Sequence, residues 1–243
     1  MNLAIDIGNS RTKVAVFHKN EILWHSTIEK GKLSPAVKTI IIDFPKLDRA
    51  IISSVGKKES EAIDFLNERL PLIELGPFTK VPFSNQYETP ESLGLDRLAL
   101  VSAAFKKFPN KNCLVIDAGT CITYDFLDEK GNYQGGAISP GIQMKFNALH
   151  TFTEKLPLIT TIENEPLSEK TTLENIRKGV IMGTSFEIDG FIAFYLENYR
   201  NLTVILTGGD SLLLSNSIKN SIFATSNFLL EGLNAILEFN TTQ

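Results

Sequence analysis

Residues 2–7 (Asn-Leu-Ala-Ile-Asp-Ile) are an almost unbroken apolar run, the pattern of a strand buried on both faces. A second strand is predicted at 12–18 and a third at 21–28, with Lys19-Asn20 as the hairpin turn between them. Val37, Ile40, Ile41 and Phe44 fit one helical face, and Ser34-Pro35 fits a helix start, so 33–44 reads as a helix. Residues 49–54 are a short β-branched run and read as a strand. From 57 to 70, Ala62, Phe65, Leu66 and Leu70 form one helical stripe, and 72–75 reads as a brief strand. Residues 76–90 hold three prolines and little periodicity, as expected for a surface loop that carries function. A helix opens at Gly94-Leu-Asp-Arg97, presents Leu98, Val101, Phe105 and Phe108 on one face, and stops at Pro109-Asn110.

The pattern then restarts. Residues 113–120 (Cys-Leu-Val-Ile-Asp-Ala-Gly-Thr) are again a buried strand that ends in Asp-x-Gly and a hydroxyl residue. Strands are predicted again at 122–126 and 133–139, and a helix at 142–152 after Pro140-Gly141. A polar stretch at 160–170 leads to a helical region at 173–199. Gly179, Gly183 and Gly190 make that region either two helices or one that packs very closely. A strand at 202–206 ends in Thr207-Gly-Gly-Asp210, and residues 211–219, a short strand near Ile222 and a terminal helix at 227–239 complete the chain. Asp6-Ile-Gly-Asn-Ser10 and Asp117-Ala-Gly-Thr-Cys121 thus occupy matching positions in two similar halves, 1–111 and 112–243. This is a duplication at the scale of a domain, unlike a short solenoid repeat.

Composition narrows the function classes. The 243 residues are 43% hydrophobic and 21% charged, ordinary for a soluble globular protein. The net charge is −4, and Lys and Arg are nowhere dense enough to follow a nucleic-acid backbone, so no nucleic-acid partner is expected. Continuous apolar runs are too short to span a bilayer, and Asp6 interrupts the N-terminal one, so neither a membrane segment nor a signal peptide is expected. The two cysteines, Cys113 and Cys121, fit reduced thiols in a cytoplasmic protein. The three histidines show no metal-ligand spacing.

The turn after the first strand is the first chemical candidate. Its small residues expose backbone N–H groups, and Gly8 lets a ligand approach the main chain. A carboxylate repels bare phosphate, so Asp6 points to a metal ion that joins the phosphate there. The same letters also suit an ordinary hairpin. The counterpart at Asp117 and the later Thr207-Gly-Gly209 favour the phosphate turn, with two facing acidic turns holding a nucleotide and its metal. Gly-x-x-x-x-Gly-Lys-[Ser/Thr] is missing, so the grip would not be that of a P-loop.

The ordered set resembles a known family. Asp6-Ile-Gly-Asn-Ser10, Gly94-Leu-Asp-Arg97, Asp117-Ala-Gly-Thr120, Gly135-Gly-Ala-Ile-Ser-Pro-Gly141, Thr172 with Asn175-Ile176 and Gly179, and Thr207-Gly-Gly209 resemble type III pantothenate kinases, of the sugar kinase, actin and chaperone ATPase superfamily. The resemblance implies an α/β fold of two duplicated ribonuclease H-like lobes. Each lobe would be a mixed five-stranded sheet flanked by helices, with the nucleotide cleft between them. It implies transfer of the ATP γ-phosphoryl group to the primary hydroxyl of pantothenate, the first step of coenzyme A biosynthesis.

By that resemblance Asp6, Ile7, Gly8, Asn9, Ser10, Arg11, Thr12 and Lys13 bind ATP, with Asp6 on Mg²⁺ directly or through water. Thr120 contacts phosphate, and Gly208 and Gly209 let adenosine pass close to the backbone. Asp96 is the candidate general base, against a plain helix-capping role. Tyr87, Gly94, Leu95, Asp96, Arg97 and Thr172 form the substrate site; Arg97 is weighed against a surface ion pair and Thr172 against a helix cap. Asp117 matches the position that ligates a monovalent cation, K⁺ or NH₄⁺. A homodimer is implied. Leu95 and Cys121 depart from the residues common in the family, small and Ala respectively, without removing a charged or hydrogen-bonding group. The alternatives are another small-molecule kinase of the superfamily and a non-catalytic nucleotide-binding regulator.

Overall fold

The computed structural model describes residues 1–8, 11–54, 59–160, 170–220 and 222–241. Asn9 and Ser10, the expected start of the second helix at Lys57, and nearly all of the polar stretch 160–170 lie outside the described residues. Two compact units divide the chain: Met1–Pro109 with Gly131–Tyr133 and Asn227–Gln243, and Asn110–Lys130 with Gln134–Ser226.

The first unit is built on a five-stranded sheet of order β3-β2-β1-β4-β5, formed by β1 (Asn2–Ile7), β2 (Thr12–His18), β3 (Glu21–Ile28), β4 (Arg49–Ser54) and β5 (Leu72–Glu74). β1 pairs antiparallel with β2 and parallel with β4. It is buried on both faces, as its apolar run requires, whereas the edge strand β3 alternates exposed and half-buried positions. One face (Leu3, Ile5, Ile7, Val14, Val16, Ala50, Ile52) packs under α1 (Leu33–Asp43) and α2 (Ser60–Asn67). The other (Ala4, Ala15, Phe17, Ile51) packs under α3 (Leu95–Lys107) and the C-terminal helix α7 (Phe228–Thr241).

The placement of α7 departs from the expected division at 111/112. Leu230, Leu233, Ile236 and Leu237 cover the first sheet, and buried Asn234 accepts from Asn2 Nδ2 at 2.7 Å and donates to the Lys19 carbonyl at 2.9 Å. Lys107 pairs with Glu231 at 2.9 Å, and Lys106 with Glu238.

The second unit carries β7 (Cys113–Ala118), β8 (Cys121–Leu127), β9 (Asn132–Pro140), β10 (Thr203–Thr207) and β11 (Phe223–Ala224). The sheet order is β11-β10-β7-β8-β9-β6, six strands where five were expected. The extra strand is β6 (Ser84–Asn85), a piece of the proline-rich loop that pairs with Asn132 and Tyr133. Here β7 is antiparallel to β8 and parallel to β10, as β1 is to β2 and β4.

One sheet face (Leu114, Ile116, Ala118, Ile122, Tyr124, Val204, Leu206) packs under α4 (Ile142–Thr151), α5 (Thr172–Asn198) and α6 (Ser211–Ser215). α5 is one 27-residue helix, and a side chain built at Gly179, Gly183 or Gly190 would meet nothing within 4 Å, so these glycines mark neither a break nor a close contact inside the chain. By length and composition alone α5 could cross a membrane, which continuous apolar runs did not indicate; a third of its most apolar window is buried.

Candidate active site

Register puts the first site together. Ala4, Ala15 and Ile51 share a cross-strand row, and two residues on, Asp6, Lys13 and Ser53 share the next row on the same face. Lys13 therefore lies on the same side as Asp6, while Ile7 and Thr12 point to the α1–α2 side. Asp6 is 8% exposed at the end of β1. The turn after it is closed by a hydrogen bond from Gly8 N to the Arg11 carbonyl, 3.1 Å, and Arg11 is exposed.

The same face carries the start of α3. Leu95 and Ala99 pack in the cluster of Ala4 and Ile51, which sets the first turn of α3 on the Asp6 side of the sheet. Gly94 caps this helix in extended conformation, and Asp96 Oδ1 accepts from Arg97 N at 2.9 Å. The helix dipole favours a carboxylate there. Arg97 is 4% exposed, which removes the surface-ion-pair reading. Its guanidinium lies 5.7 Å from the Tyr87 ring and 6.0 Å from the Tyr133 ring. Those rings stack at 6.2 Å with 14° between planes, and Phe83 meets Tyr133 edge-on at 5.8 Å. Backbone bonds from Ser84 N to the Gly131 carbonyl and from Gln86 N to the Tyr133 carbonyl hold the loop in place. Tyr87, Arg97 and the buried Tyr133 thus form one corner beside Asp96.

In the second unit Asp117 shares a row with Thr123 of β8 and Thr207 of β10, on the face away from α4–α6. The turn is closed on itself and two further stretches converge on it. Gly119 N donates to the Cys121 carbonyl at 3.0 Å, Gly141 N to the Thr120 carbonyl at 3.2 Å, and Asp210 N to the Ala118 carbonyl at 2.9 Å. Gly208 has φ +98°, and a Cβ there would lie 2.3 Å from the Ala118 carbonyl oxygen and 2.4 Å from Asp117 Oδ1, so no other residue fits. Thr120 and Gly209 are exposed, and nothing lies within 4 Å of the side-chain position of Gly209, which leaves the backbone open to a ligand. Burial raises the Asp210 carboxyl above its ordinary pKa, and burial also pushes the Cys113 thiol up to about 12, which makes it inert.

Behind this turn lies a polar cluster that the sequence did not reveal. Glu187 of α5 accepts from Tyr124 OH (2.8 Å, β8), Ser139 Oγ (β9) and Lys145 Nζ (2.8 Å, α4), and Lys145 also donates to Thr184 Oγ1 at 2.9 Å. Burial acts to raise the Glu187 pKa, but the three hydrogen bonds and the Lys145 charge outweigh it and hold the carboxyl below its ordinary value.

Thr172 stands apart. It lines a cavity of about 730 Å³ with Lys145, Leu149, Leu156, Ile176 and Gly183, on the α4–α5 side, whereas Asp117 points to the other face of the same sheet. It is not the helix cap either: Thr171 is the N-cap, its Oγ1 accepting from Glu174 N at 3.3 Å and donating to Glu174 Oε2 at 2.8 Å.

The sequence model of type III pantothenate kinase matches residues 2–193. The chain belongs to the type III pantothenate kinase family. A type III pantothenate kinase of Christiangramia forsetii is 47% identical over 243 residues and 100% of both chains. One of Flavobacterium johnsoniae is 42% identical over 239 residues, 98% of each. Two solved structures share the fold alone. They are component A of (R)-2-hydroxyglutaryl-CoA dehydratase from Acidaminococcus fermentans (TM-score 0.56, 14% identity, 98% and 96% of the two chains) and ROK hexokinase from Thermus thermophilus (0.52, 11%, 98% and 99%). The family model stops short of Thr207-Gly-Gly209, while the likeness to the Christiangramia forsetii protein extends over the whole chain.

Of the residues tied to the site by structure alone, Ser53 and Tyr133 carry no local sequence signal. Glu187 stands with Asp189 among apolar helical positions, which does not single it out.

Proposed function

We propose that the chain transfers the ATP γ-phosphoryl group to the primary hydroxyl of pantothenate, the first step of coenzyme A biosynthesis. Full-length likeness to type III pantothenate kinases carries this reading, and the placement of Asp6 and the first turn of α3 on one sheet face agrees with it. Asp96 is the general base. A carboxylate is too weak to ionise an alcohol beforehand, so it takes the proton late, as the hydroxyl oxygen bonds to the γ-phosphorus and the bond to the bridging oxygen of ADP breaks. Arg97, held in its aromatic corner with Tyr87, recognises the carboxylate or amide oxygens of pantothenate together with Gly94 and Leu95.

The ATP-binding residues are Asp6, Gly8 and Lys13 around the first turn, and Thr120, Gly208 and Gly209 around the second. Among the described residues no three acidic, His or Cys side chains cluster. Mg²⁺ keeps most of its waters, takes few carboxylates and would neutralise the developing phosphate charge when bound. Asp6 would hold it, and the buried Ser53 hydroxyl in the same row is polar lining that such a hydrated ion uses. Asp117, beside the hydroxyl residues Thr123 and Thr207, takes the monovalent cation, K⁺ or NH₄⁺.

The protein acts as a homodimer in the cytoplasm, without nucleic acid or membrane. Exposed Phe186 and Phe194 on α5 provide an apolar face for a second copy, and Thr172 then serves an acceptor site shared between subunits. The test is a coupled assay with ATP, Mg²⁺ and K⁺ on pantothenate, sugars and acetate. Turnover of pantothenate alone is expected, and its absence overturns the reading. Asp96→Asn is expected to lower kcat at least a thousandfold with ATP binding retained.

A further inference from the structure

Ser53 is fully buried, 0% exposed, and its Oγ has no hydrogen-bond partner among the described residues. A buried hydroxyl left unmade costs about 1–3 kcal/mol, so a serine kept there needs a reason. Its neighbours supply one. Ser53 pairs with Asp6 across the parallel β1–β4 ladder, where adjacent strands lie about 5 Å apart and paired side chains share a face. That face carries the first turn of α3 with Asp96. Val or Ala would suit a strand end of the same size without the cost. In the other unit the parallel neighbour of Asp117 is also a buried hydroxyl residue, Thr207 of β10, 3% exposed. Buried serines elsewhere behave differently, since Ser102 and Ser185 bond to the carbonyls of Leu98 and Ile181 within their helices.

We propose that Ser53 is a further residue of the metal–phosphate site, whose hydroxyl hydrogen-bonds water in the shell of the divalent ion held at Asp6 and so positions it. This rests on the ATP-binding reading above. One carboxylate alone would leave a hydrated ion free to swing, and a second oxygen one strand away would fix its orientation. The hydroxyl is satisfied only in the loaded state, so the ligand-free protein bears the cost.

The test is Ser53→Ala, compared with wild type, Asp6→Asn and the control Ser54→Ala, whose side chain points to the opposite face. Three quantities are read: thermal midpoint without ligand, binding of a non-hydrolysable ATP analogue against Mg²⁺ concentration by calorimetry, and kcat/KM. For Ser53→Ala the ligand-free midpoint is expected to stay or rise, while the Mg²⁺ concentration for half-maximal binding rises about tenfold, matching the loss of one charge-assisted hydrogen bond. Ser54→Ala should show wild-type Mg²⁺ dependence. A lowered ligand-free midpoint for Ser53→Ala would assign the residue a structural role and overturn the proposal. An unchanged Mg²⁺ dependence in Ser53→Ala, with Asp6→Asn abolishing it, overturns the proposal and leaves the ATP site standing. If wild type itself shows no Mg²⁺-dependent nucleotide binding, both fall.

Discussion

Replacing Glu187 by Ala tests whether the cluster behind the Asp117 turn holds the second unit together. The carboxylate accepts from three elements at once, β8 through Tyr124, β9 through Ser139 and α4 through Lys145. Removing it leaves the Tyr124 hydroxyl buried without its acceptor, at about 1–3 kcal/mol. Lys145 and Ser139 reach solvent more easily, so the lost ion pair adds about 1 kcal/mol. The sum is about 3 kcal/mol, and for a chain of this size a thermal midpoint falls roughly 2–4 °C per kcal/mol. A drop of about 6–12 °C at pH 7 is expected, measured by circular dichroism. Tyr124→Phe removes the buried donor together with the need for it and should cost only about 1 kcal/mol. A fall below about 2 °C for Glu187→Ala would refute the reasoning.

The pH dependence gives the same test a sign. The folded pKa of Glu187 is depressed, so its contribution is complete above the unfolded value of 4.5 and is lost as pH falls through the folded value. The gap in stability between wild type and Glu187→Gln should therefore shrink below pH 4.5 and stay constant from pH 6 to 8. A gap that widens on acidification would contradict the assigned direction.

Neighbouring glycines should separate fold from ligand contact. Gly208→Ala puts a Cβ against the Ala118 carbonyl and Asp117 and should lower both the thermal midpoint and kcat/KM, the latter by about a hundredfold. Gly209→Ala meets nothing in the protein, so the midpoint should hold while KM for ATP rises in steady-state kinetics. Tyr133→Leu removes the ring stacked on Tyr87 and should raise KM for pantothenate about tenfold with KM for ATP unchanged, because Tyr133 acts through Tyr87 and Arg97.

Legibility followed the range of the forces involved. β1 to β3 were readable because burial on two faces or one writes itself into consecutive positions. α5 was not, because three glycines argue locally for a break, at about 1 kcal/mol each. The burial of Ile176, Val180, Ile181, Ile188 and Ile192 outweighs them. α7 was readable as a helix but not as part of the first unit, since Leu230, Leu233, Ile236 and Leu237 would suit either sheet, and the choice rests on partners such as Asn2 far along the chain. The Asp-x-Gly turns were visible because a tight turn demands its residues in sequence, whereas Tyr133 and Ser53 depend on strand register.

Register also separates the chemistry of the two halves, which the matching turns conceal. Each aspartate ends a central strand that is antiparallel to the next strand and parallel to a later one. In the first row Asp6 stands between Lys13 and Ser53, so an ammonium group already contributes positive charge for phosphate. In the second row Asp117 stands between Thr123 and Thr207, which offer hydroxyl oxygens and no charge. A carboxylate with hydroxyl neighbours would keep phosphate away by repulsion unless a cation joins it, and all-oxygen surroundings suit a hard cation over a soft one. The duplication therefore supplies one row with a built-in cation and leaves the other to recruit one, which is the physical basis for proposing the monovalent ion at Asp117.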